Sequence, residues 1–188
     1  TYDRIKKIIE KITNNYEIIF VDDGSTDNSA EILAKSAQDE KNLKVLQFSR
    51  NFGHQSAMFA GIEYSSGDGI FLIDADLQDP PEKFQEMYEK WRSGYDVVYG
   101  VRKSRKRRSF IRKILYSAYH KVFKSLSDLK NQEDLVDFCL IDSKVKNELI
   151  KLRENNVFFR GLRSWVGFKQ IGIPYDQQDR ELGETKYS

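Results

Sequence analysis

The sequence lacks several features that would indicate common classes of protein and of site. It has one cysteine, Cys139, which excludes an internal disulfide and indicates a reducing compartment. Its two histidines, His54 and His120, lie far apart in the sequence, which disfavours a zinc site built from histidine and cysteine. No apolar run approaches the roughly 20 residues of a membrane-spanning helix. The composition is otherwise that of a globular protein, and 188 residues predict a single domain with a sizeable core.

The glycine-rich phosphate-binding motifs are absent as well. The sequence contains no Gly-Xaa-Gly-Xaa-Xaa-Gly and no P-loop, which removes support for dehydrogenases and P-loop nucleotidases. It also contains no Gly-Xaa-Ser-Xaa-Gly elbow, so a serine hydrolase is disfavoured. A diphosphate ligand would therefore be held by a metal ion and carboxylates in place of glycine amides.

Two carboxylates follow a short apolar stretch in the middle of the chain. Residues 70–73 predict a buried strand, and Asp74 and Asp76 come directly after it. In an extended chain, residues two apart point to the same face, and Gln78 would add a third oxygen on that face. Such oxygen ligands suit Mg²⁺ or Mn²⁺ shared with substrate phosphates. The alternative is that both aspartates are polar loop residues and that Asp79 caps the next helix.

Strand-like and helix-like segments alternate along the first half of the chain. With short connections, this alternation predicts an α/β fold, a mostly parallel twisted sheet flanked by helices. The predicted strands are 17–21, 43–48, 70–74 and 96–99, and the predicted helices are about 27–38, 54–65 and 81–94.

The chain opens inside a helical pattern, with isoleucines at helical spacing from Ile5 to Ile12. A βαβ architecture places a strand before such a helix, so we expect the first strand to be missing from this chain. The last residues, Lys186 to Ser188, form no helix stop or tail. Both ends predict a piece of a longer protein.

Three predicted strands end in polar residues, and ligands of open parallel sheets bind at the carboxyl ends of the strands. Asp22 and Asp23 follow the first strand, Asn51 the second and Asp74 the third. Asp23 is a candidate acceptor for a nucleobase N–H or a ribose hydroxyl, and the turn around Asn51 adds donors and an aromatic ring. The alternative for residues 22–27 is turn formation and helix capping.

Two charged segments lie further along the chain. Arg180 and Lys186 flank a glycine and are suited to wrap around anionic oxygens, although a solvated charged turn is the alternative. The second segment is strongly basic and precedes an apolar stripe from Ile111 to Phe123, which predicts contact with an anionic membrane surface. An ordinary helix packed on the sheet is the alternative there. The basic residues are Arg102, Lys103, Arg105, Lys106, Arg107, Arg108, Arg112 and Lys113.

Five motifs together resemble the family 2 inverting glycosyltransferases, in that family's order and over nearly the whole chain. The most similar branch includes dolichol-phosphate mannose synthase and bacterial polyprenyl-phosphate glycosyltransferases. The Asp-Ala-Asp-Leu-Gln-Asp-Pro-Pro-Glu motif is specific to the family. Because four further motifs accompany it in the same chain, a coincidental match is very unlikely. The motifs are Val21–Asp27, Asn51–Gly53, Asp74–Glu82, Gly100–Arg102 and Arg180–Tyr187.

The resemblance implies a single catalytic domain over residues 1–188 with a Rossmann-like, GT-A type nucleotide-sugar-binding fold. It implies transfer of one sugar from a UDP- or GDP-sugar, with Mg²⁺ or Mn²⁺, to a polyprenyl phosphate during cell envelope biogenesis. The expected place is the cytoplasmic face of a membrane, with no nucleic-acid partner and with homo-oligomerisation left open. A saccharide or polysaccharide acceptor, or a non-catalytic nucleotide-sugar-binding module, remains the alternative. The base and the sugar also stay open.

On the donor side, the resemblance implies substrate contacts from Asp22, Asp23 and Asn51, with Asp23 on the base. Asp74 and Asp76 match the pair on the nucleotide and the metal, and Gln78 matches a further metal ligand. No Gln-Xaa-Xaa-Arg-Trp motif of processive synthases is present, and this absence supports transfer of a single sugar.

On the phosphate side, Arg102 matches a basic residue near the phosphates, and Arg180 and Lys186 match a loop that closes over donor and acceptor. Asp137 is the candidate general base if the acceptor is a hydroxyl, whereas an ionised phosphate needs none. A residue at the edge of the core is the alternative for Asp137. Cys139 stands where the family has a basic residue, which affects the expected acceptor contacts.

Overall fold

The computed structural model describes residues 1–103, 136–152 and 158–178. These residues contain six strands, six α-helices and one 3-10 turn. In chain order the elements are α1 (Tyr2–Ile9), β1 (Ile18–Asp22), α2 (Ser29–Asp39), β2 (Leu43–Gln47), α3 (His54–Tyr64), β3 (Gly69–Leu72), the 3-10 turn (Pro81–Lys83), α4 (Phe84–Arg92), β4 (Val97–Arg102), β5 (Cys139–Asp142), α5 (Ser143–Lys151), α6 (Phe159–Trp165) and β6 (Gln170–Tyr175).

The strands form two hydrogen-bonded groups. β1 and β2 pair in parallel, while the second sheet has the order β3-β5-β4-β6. In that sheet β4 and β6 are parallel, and β5 is antiparallel to both of its neighbours. β3, β4 and β6 therefore point in one direction. The predicted α/β fold, mostly parallel and flanked by helices, is confirmed, and the antiparallel β5 is an addition that the sequence did not predict.

Both faces of β5 are buried. Phe138 and Leu140 belong to the core cluster that includes α1 and α4, whereas Cys139 and Ile141 belong to the cluster beneath α3, α5 and α6. Because successive side chains of a strand point to opposite faces, a strand with two buried faces has no polar alternation. β5 thus lies inside the sheet and brings Asp137, two residues before the strand, to a fixed place.

Gly100 in β4 lies where a side chain has no room. A Cβ built there would lie 2.6 Å from Cε1 of Tyr175 and 2.8 Å from Cδ1 of Phe138. We expect Gly100→Ala to lower the free energy of unfolding by about 1–3 kcal/mol, because overpacking displaces these rings. Urea denaturation measures the change. Gly67→Ala, whose Cβ would have its nearest neighbour 3.4 Å away, is the control, and equal stability of the two variants would contradict this packing.

Candidate active site

The end of β1 is tied to the turn before α3 through Asp23. Its carboxylate accepts hydrogen bonds from the backbone N–H groups of Phe52, at 2.7 Å, and Gly53, at 2.9 Å. The structure therefore brings together two of the three predicted strand ends. Since both oxygens of Asp23 bind this turn, the carboxylate fixes the shape of the turn in addition to any contact with a ligand.

Asp22 points into the protein. It is buried, and its Oδ1 accepts a hydrogen bond from the N–H of Ser25 at 3.1 Å. Asp27 likewise accepts from the N–H of Ser29 at 3.0 Å, at the start of α2. Gly24 has a φ of +69°, and a Cβ there would lie 2.4 Å from the carbonyl carbon of Arg50. The turn-forming alternative thus describes Asp22 and Asp27 well.

The turn before α3 presents a cation and an aromatic ring to solvent. The guanidinium of Arg50 lies 4.1 Å from the ring centroid of Phe52, which is 48% exposed. The other contact of that ring is edge-on to Phe48, with centroids 5.4 Å apart. Asn51 is exposed in the same turn. These groups form a stacking surface beside the carboxyl end of β1.

The segment after β3 does not stay extended, contrary to the expectation. β3 ends at Leu72, and the chain turns so that Leu77, with a φ of +55°, is only 3% exposed. Burial of this leucine favours the turn over a longer strand. Asp76 folds back within the turn, its Oδ1 accepting from the N–H of Gln78 at 3.1 Å. Asp74, Asp76 and Gln78 therefore do not share one face of a strand.

Asp79 anchors Arg102 and does not cap a helix. It is buried, and its Oδ1 accepts hydrogen bonds from the hydroxyl of Tyr175, at 2.5 Å, and from Nη2 of Arg102, at 3.2 Å. Nε of Arg102 donates to the hydroxyl oxygen of Tyr175 at 2.9 Å. Burial and the bond to Asp79 raise the pKa of Tyr175. The guanidinium of Arg102 is thereby held, half exposed, at the end of β4.

Asp137 is the centre of a second cluster of charged side chains. Arg160 of α6 donates from Nε at 2.9 Å and from Nη2 at 2.7 Å to its two oxygens. Nε2 of His54 lies 3.2 Å from Oδ2 of Asp137 and 3.8 Å from Oδ1 of Asp74. The beginnings of α3, β5 and α6 thus meet at the carboxyl end of β3.

His54 and Arg160 are site residues that the sequence analysis missed. His54 directly follows the Asn51–Gly53 motif, and that position was the available signal. Arg160 lies in no motif that the analysis used. Only their contacts with Asp137 in the folded structure identify these two residues. His54 lies 83 residues and Arg160 lies 23 residues from Asp137 in the sequence.

The charges around Asp137 set its protonation. Burial alone would raise the pKa of Asp137, but hydrogen bonds from His54 and Arg160 outweigh burial and hold the pKa well below its ordinary value. A carboxylate so stabilised is a weak proton acceptor. The geometry therefore disfavours the general-base role that the sequence suggested for Asp137.

The paired imidazole predicts a pH dependence of stability. The hydrogen bond to Asp137, opposed by partial burial, raises the pKa of His54. A raised folded-state pKa contributes stability that is fully present below the ordinary value of about 6.5 and is lost as pH rises through the folded value. We expect the melting temperature to fall between pH 6 and pH 8.5 and to fall less in His54→Asn. The control is His120→Asn, and an equal fall in all three proteins would contradict the pairing.

Asp74 and Asp76 are the candidate ligands of a divalent metal. No group of three or more His, Cys, Asp or Glu side chains within 1–103, 136–152 and 158–178 is placed to hold an ion. Mg²⁺ needs only one or two carboxylates when substrate phosphates complete its coordination. Burial and the neighbouring carboxylates of Asp79, Asp137 and Asp76 raise the pKa of Asp74, against the effect of His54. A cation beside Asp74 would relieve this repulsion, so Asp74 and Asp76 fit such an ion.

Gln78, the third predicted ligand, has a partner inside the protein. Its Oε1 accepts from Nε2 of Gln177 at 3.1 Å, and its carbonyl accepts from the N–H of Gln178 at 2.9 Å. These bonds join the segment after β3 to the segment after β6. The structure thus gives Gln78 a role in holding the loop that carries Asp74 and Asp76.

Several predicted residues lie outside the described ranges. Arg180 and Lys186, expected to close over the substrates, are among them, as is most of the basic segment with the apolar stripe that follows it. Their roles stay predictions. None of the helices in the described ranges is both long and apolar enough to cross a bilayer.

Comparison with known proteins gives relatives along the whole chain. The chain is 47% identical over 187 residues to the uncharacterized glycosyltransferase YkcC of Bacillus subtilis. It is 33% identical over 187 residues to the bactoprenol glucosyl transferase of Shigella phage SfV. In both comparisons the whole chain aligns, and it spans 58% and 61% of the two relatives.

Two solved structures share the fold at low sequence identity. The mannosyltransferase PcManGT of Pyrobaculum calidifontis, in complex with GDP-Man and Mn²⁺, superposes with a TM-score of 0.57 at 14% identity, over 93% of this chain and 52% of that one. Mannosyl-3-phosphoglycerate synthase of Rubrobacter xylanophilus gives 0.54 at 16% identity, over 96% of this chain and 62% of that one. Residues 1–151 match the family described as Glycosyl transferase family 2. With its GT-A type fold, the chain belongs to glycosyl transferase family 2.

Proposed function

We propose that the protein transfers one sugar, with inversion, from a nucleotide-diphosphate sugar to a polyprenyl phosphate. Membership of the family makes it a glycosyltransferase, and the acceptor, the metal and the stereochemistry are the parts proposed. The relative from phage SfV carries the name bactoprenol glucosyl transferase, which supports a polyprenyl-phosphate acceptor. The solved complex of PcManGT with GDP-Man and Mn²⁺ supports a nucleotide-sugar donor and a divalent metal.

The state of Asp137 is the observation that carries the choice of acceptor. A hydroxyl acceptor needs a base that removes its proton as it attacks. Asp137 is the buried carboxylate at the centre of the charged cluster, yet Arg160 and His54 occupy its oxygens and lower its pKa. A phosphate monoester is already ionised near pH 7 and needs no such base. The site is therefore better suited to an anionic acceptor.

On the donor side, the turn held by Asp23 would receive the nucleoside, with Phe52 and Arg50 as its stacking surface. Asp74 and Asp76 would hold the divalent ion on the diphosphate. When bound, the ion would supply Lewis-acid stabilisation of the negative charge on the leaving nucleoside diphosphate. The hydrogen bond between Gln177 and Gln78 would keep the two aspartates at the end of β3.

Two anchored arginines would serve the reacting phosphates. Arg102 is fixed by buried Asp79 and Arg160 by buried Asp137, and each guanidinium is half exposed. The two cations are close enough for the charge of Arg102 to oppose the rise in the pKa of Arg160. A phosphate oxygen of the acceptor attacks the anomeric carbon as the bond to the diphosphate breaks, so negative charge moves but is not neutralised. Fixed cations stabilise such charge without reorganising.

The acceptor assay tests this proposal directly. First, melting temperatures of the full-length protein with UDP-, GDP- and CMP-sugars and Mn²⁺ identify the donor, because a ligand of the folded state raises the melting temperature. Labelled donor is then offered with a polyprenyl phosphate, the matching polyprenol, or a soluble oligosaccharide. We expect product only with the phosphate. Transfer to the oligosaccharide at an equal or higher rate would replace the lipid-phosphate proposal, and donor binding without transfer to any acceptor would support a binding module.

A further inference from the structure

Arg163, in the middle of α6, is a fully buried arginine. Its side chain has 0% exposure, which no other charged residue of the described ranges reaches. Nη1 donates to the carbonyl oxygen of Val136 at 2.9 Å. Nε and Nη2 have no hydrogen-bond partner within the described part of the chain. Most of the hydrogen-bonding capacity of this guanidinium is therefore unused.

The guanidinium is surrounded by aromatic rings and a thiol. It lies 4.9 Å from the ring centroid of Tyr99 and 5.7 Å from that of Phe159. Burial raises the pKa of the Cys139 thiol, and the charge and hydrogen bond of Arg163 oppose that rise, which places the two groups side by side. No described ion pair includes Arg163. The rings give cation–π stabilisation but no acceptor for the two remaining nitrogens.

Such a side chain is a poor means of stabilising a fold. Buried donors that lack acceptors cost free energy, and apolar residues of similar volume often replace buried charges at no cost or with a gain. The hydrogen bond from Nη1 of Arg163 to the backbone points to an effect other than stability. That bond holds the carbonyl of Val136, one residue before Asp137.

Asp137 lies between two fixed carbonyl groups. Arg163 binds the carbonyl of Val136, and the N–H of Gly100 donates to the carbonyl of Phe138 at 2.9 Å. With both neighbours fixed, the carboxylate of Asp137 is aimed at His54 and Arg160. Loss of the hydrogen bond from Arg163 would leave the carbonyl of Val136, next to Asp137, without this constraint.

We propose that Arg163 is a positioning residue, which orients Asp137 and, through Asp137, the cation of Arg160. The effect on transfer rests on the proposed function, whereas the effect on Asp137 and His54 does not.

The test compares Arg163→Met with Arg92→Met, an exposed arginine at the end of α4. Methionine keeps an unbranched side chain that suits a buried site and removes the donors of the guanidinium. We expect the melting temperature of Arg163→Met to stay equal or rise, while turnover per folded molecule falls about 10- to 100-fold, the usual cost of a small misplacement. Arg92→Met should match the wild type in both. A lower melting temperature with unchanged turnover per folded molecule would make Arg163 a packing residue and overturn the proposal.

A second readout requires no substrate. The imidazole ¹⁵N resonances of His54, assigned with the help of His120→Asn, report its hydrogen bond to Asp137 at a fixed pH. They should move in Arg163→Met and stay in place in Arg92→Met. If the wild type proves inactive on every acceptor, the proposed function fails, and this measurement alone decides the positioning role. Unmoved resonances in Arg163→Met would reject that role.

Discussion

Replacing Asp74 with asparagine is expected to lower sugar transfer by about two to three orders of magnitude while the fold stays intact, the usual cost of a lost electrostatic group at the reacting centre. Asp74 lies near the start of the segment that follows β3, and its Oδ1 is 3.8 Å from Nε2 of His54. The carboxylate would hold the divalent ion on the donor diphosphate, and asparagine keeps its shape without its charge. Steady-state assays at saturating donor and metal measure the loss.

The melting temperature of Asp74→Asn should not fall, although its turnover does. Burial and nearby carboxylates raise the pKa of Asp74 in the folded state. An acid with a raised folded-state pKa lowers stability as pH rises through that value, because the folded protein then carries an unfavourable charge. Asp74→Asn should therefore melt at the same temperature as the wild type or higher at pH 7.5.

The control for Asp74→Asn is Asp39→Asn, at the exposed end of α2, which should retain full turnover. Full turnover of Asp74→Asn would remove Asp74 from the site. Wild-type turnover that survives exhaustive EDTA treatment would reject the metal and leave Asp74 with a direct contact to the nucleotide.

Arg160→Met should be damaging in both activity and stability. It leaves the carboxylate of Asp137, whose side chain is 8% exposed, with His54 as its remaining charged partner. We expect the free energy of unfolding to fall by about 2 kcal/mol, less than for a fully buried pair because Arg160 is half exposed. Turnover should fall about 100-fold, because a fixed cation near the phosphates is lost. Urea denaturation and steady-state assays measure the two effects.

A double-mutant cycle separates these two roles of Arg160. Adding Asp137→Asn removes the unpaired carboxylate, so Arg160→Met/Asp137→Asn should regain most of the lost stability without regaining turnover. The loss of unfolding free energy caused by Arg160→Met should also become smaller at acidic pH. Asp137 has a lowered folded-state pKa, and the stability that it contributes is present above its ordinary pKa and is lost as pH falls toward the folded value. A double variant with wild-type turnover would show that neither residue takes part in transfer.

The sequence predicted those helices and strands whose buried residues form a continuous or periodic apolar pattern. β1, α2, β2 and α3 lie within about two residues of their predicted bounds, because apolar runs and turn residues mark their ends. The prediction of an extended segment after β3 was wrong because its local pattern did not reflect burial. Its alternating polar residues looked extended, but Leu77 lies among them, and its burial required a turn that no local pattern signals.

The sequence predicted the site residues that stand together in short motifs. It missed the residues that meet only in the folded structure. Asp74, Asp76 and the Asn51–Gly53 turn stand in short motifs, so their chemistry was visible. The network of Asp137 joins side chains up to 83 residues apart through an antiparallel strand that the sequence analysis did not predict. Without that strand, neither His54 nor Arg160 had a known neighbour.

The antiparallel direction of β5 decides at which rim of the sheet the charges gather. Because β5 runs against β4, the end of β4 at Arg102 and the approach to β5 at Asp137 lie on the same rim. A parallel strand in this place would begin at the opposite rim, and Asp137 would then lie a strand length away from Arg102. The direction of a single strand thus brings two separately anchored arginines, Arg102 and Arg160, to one edge of the sheet.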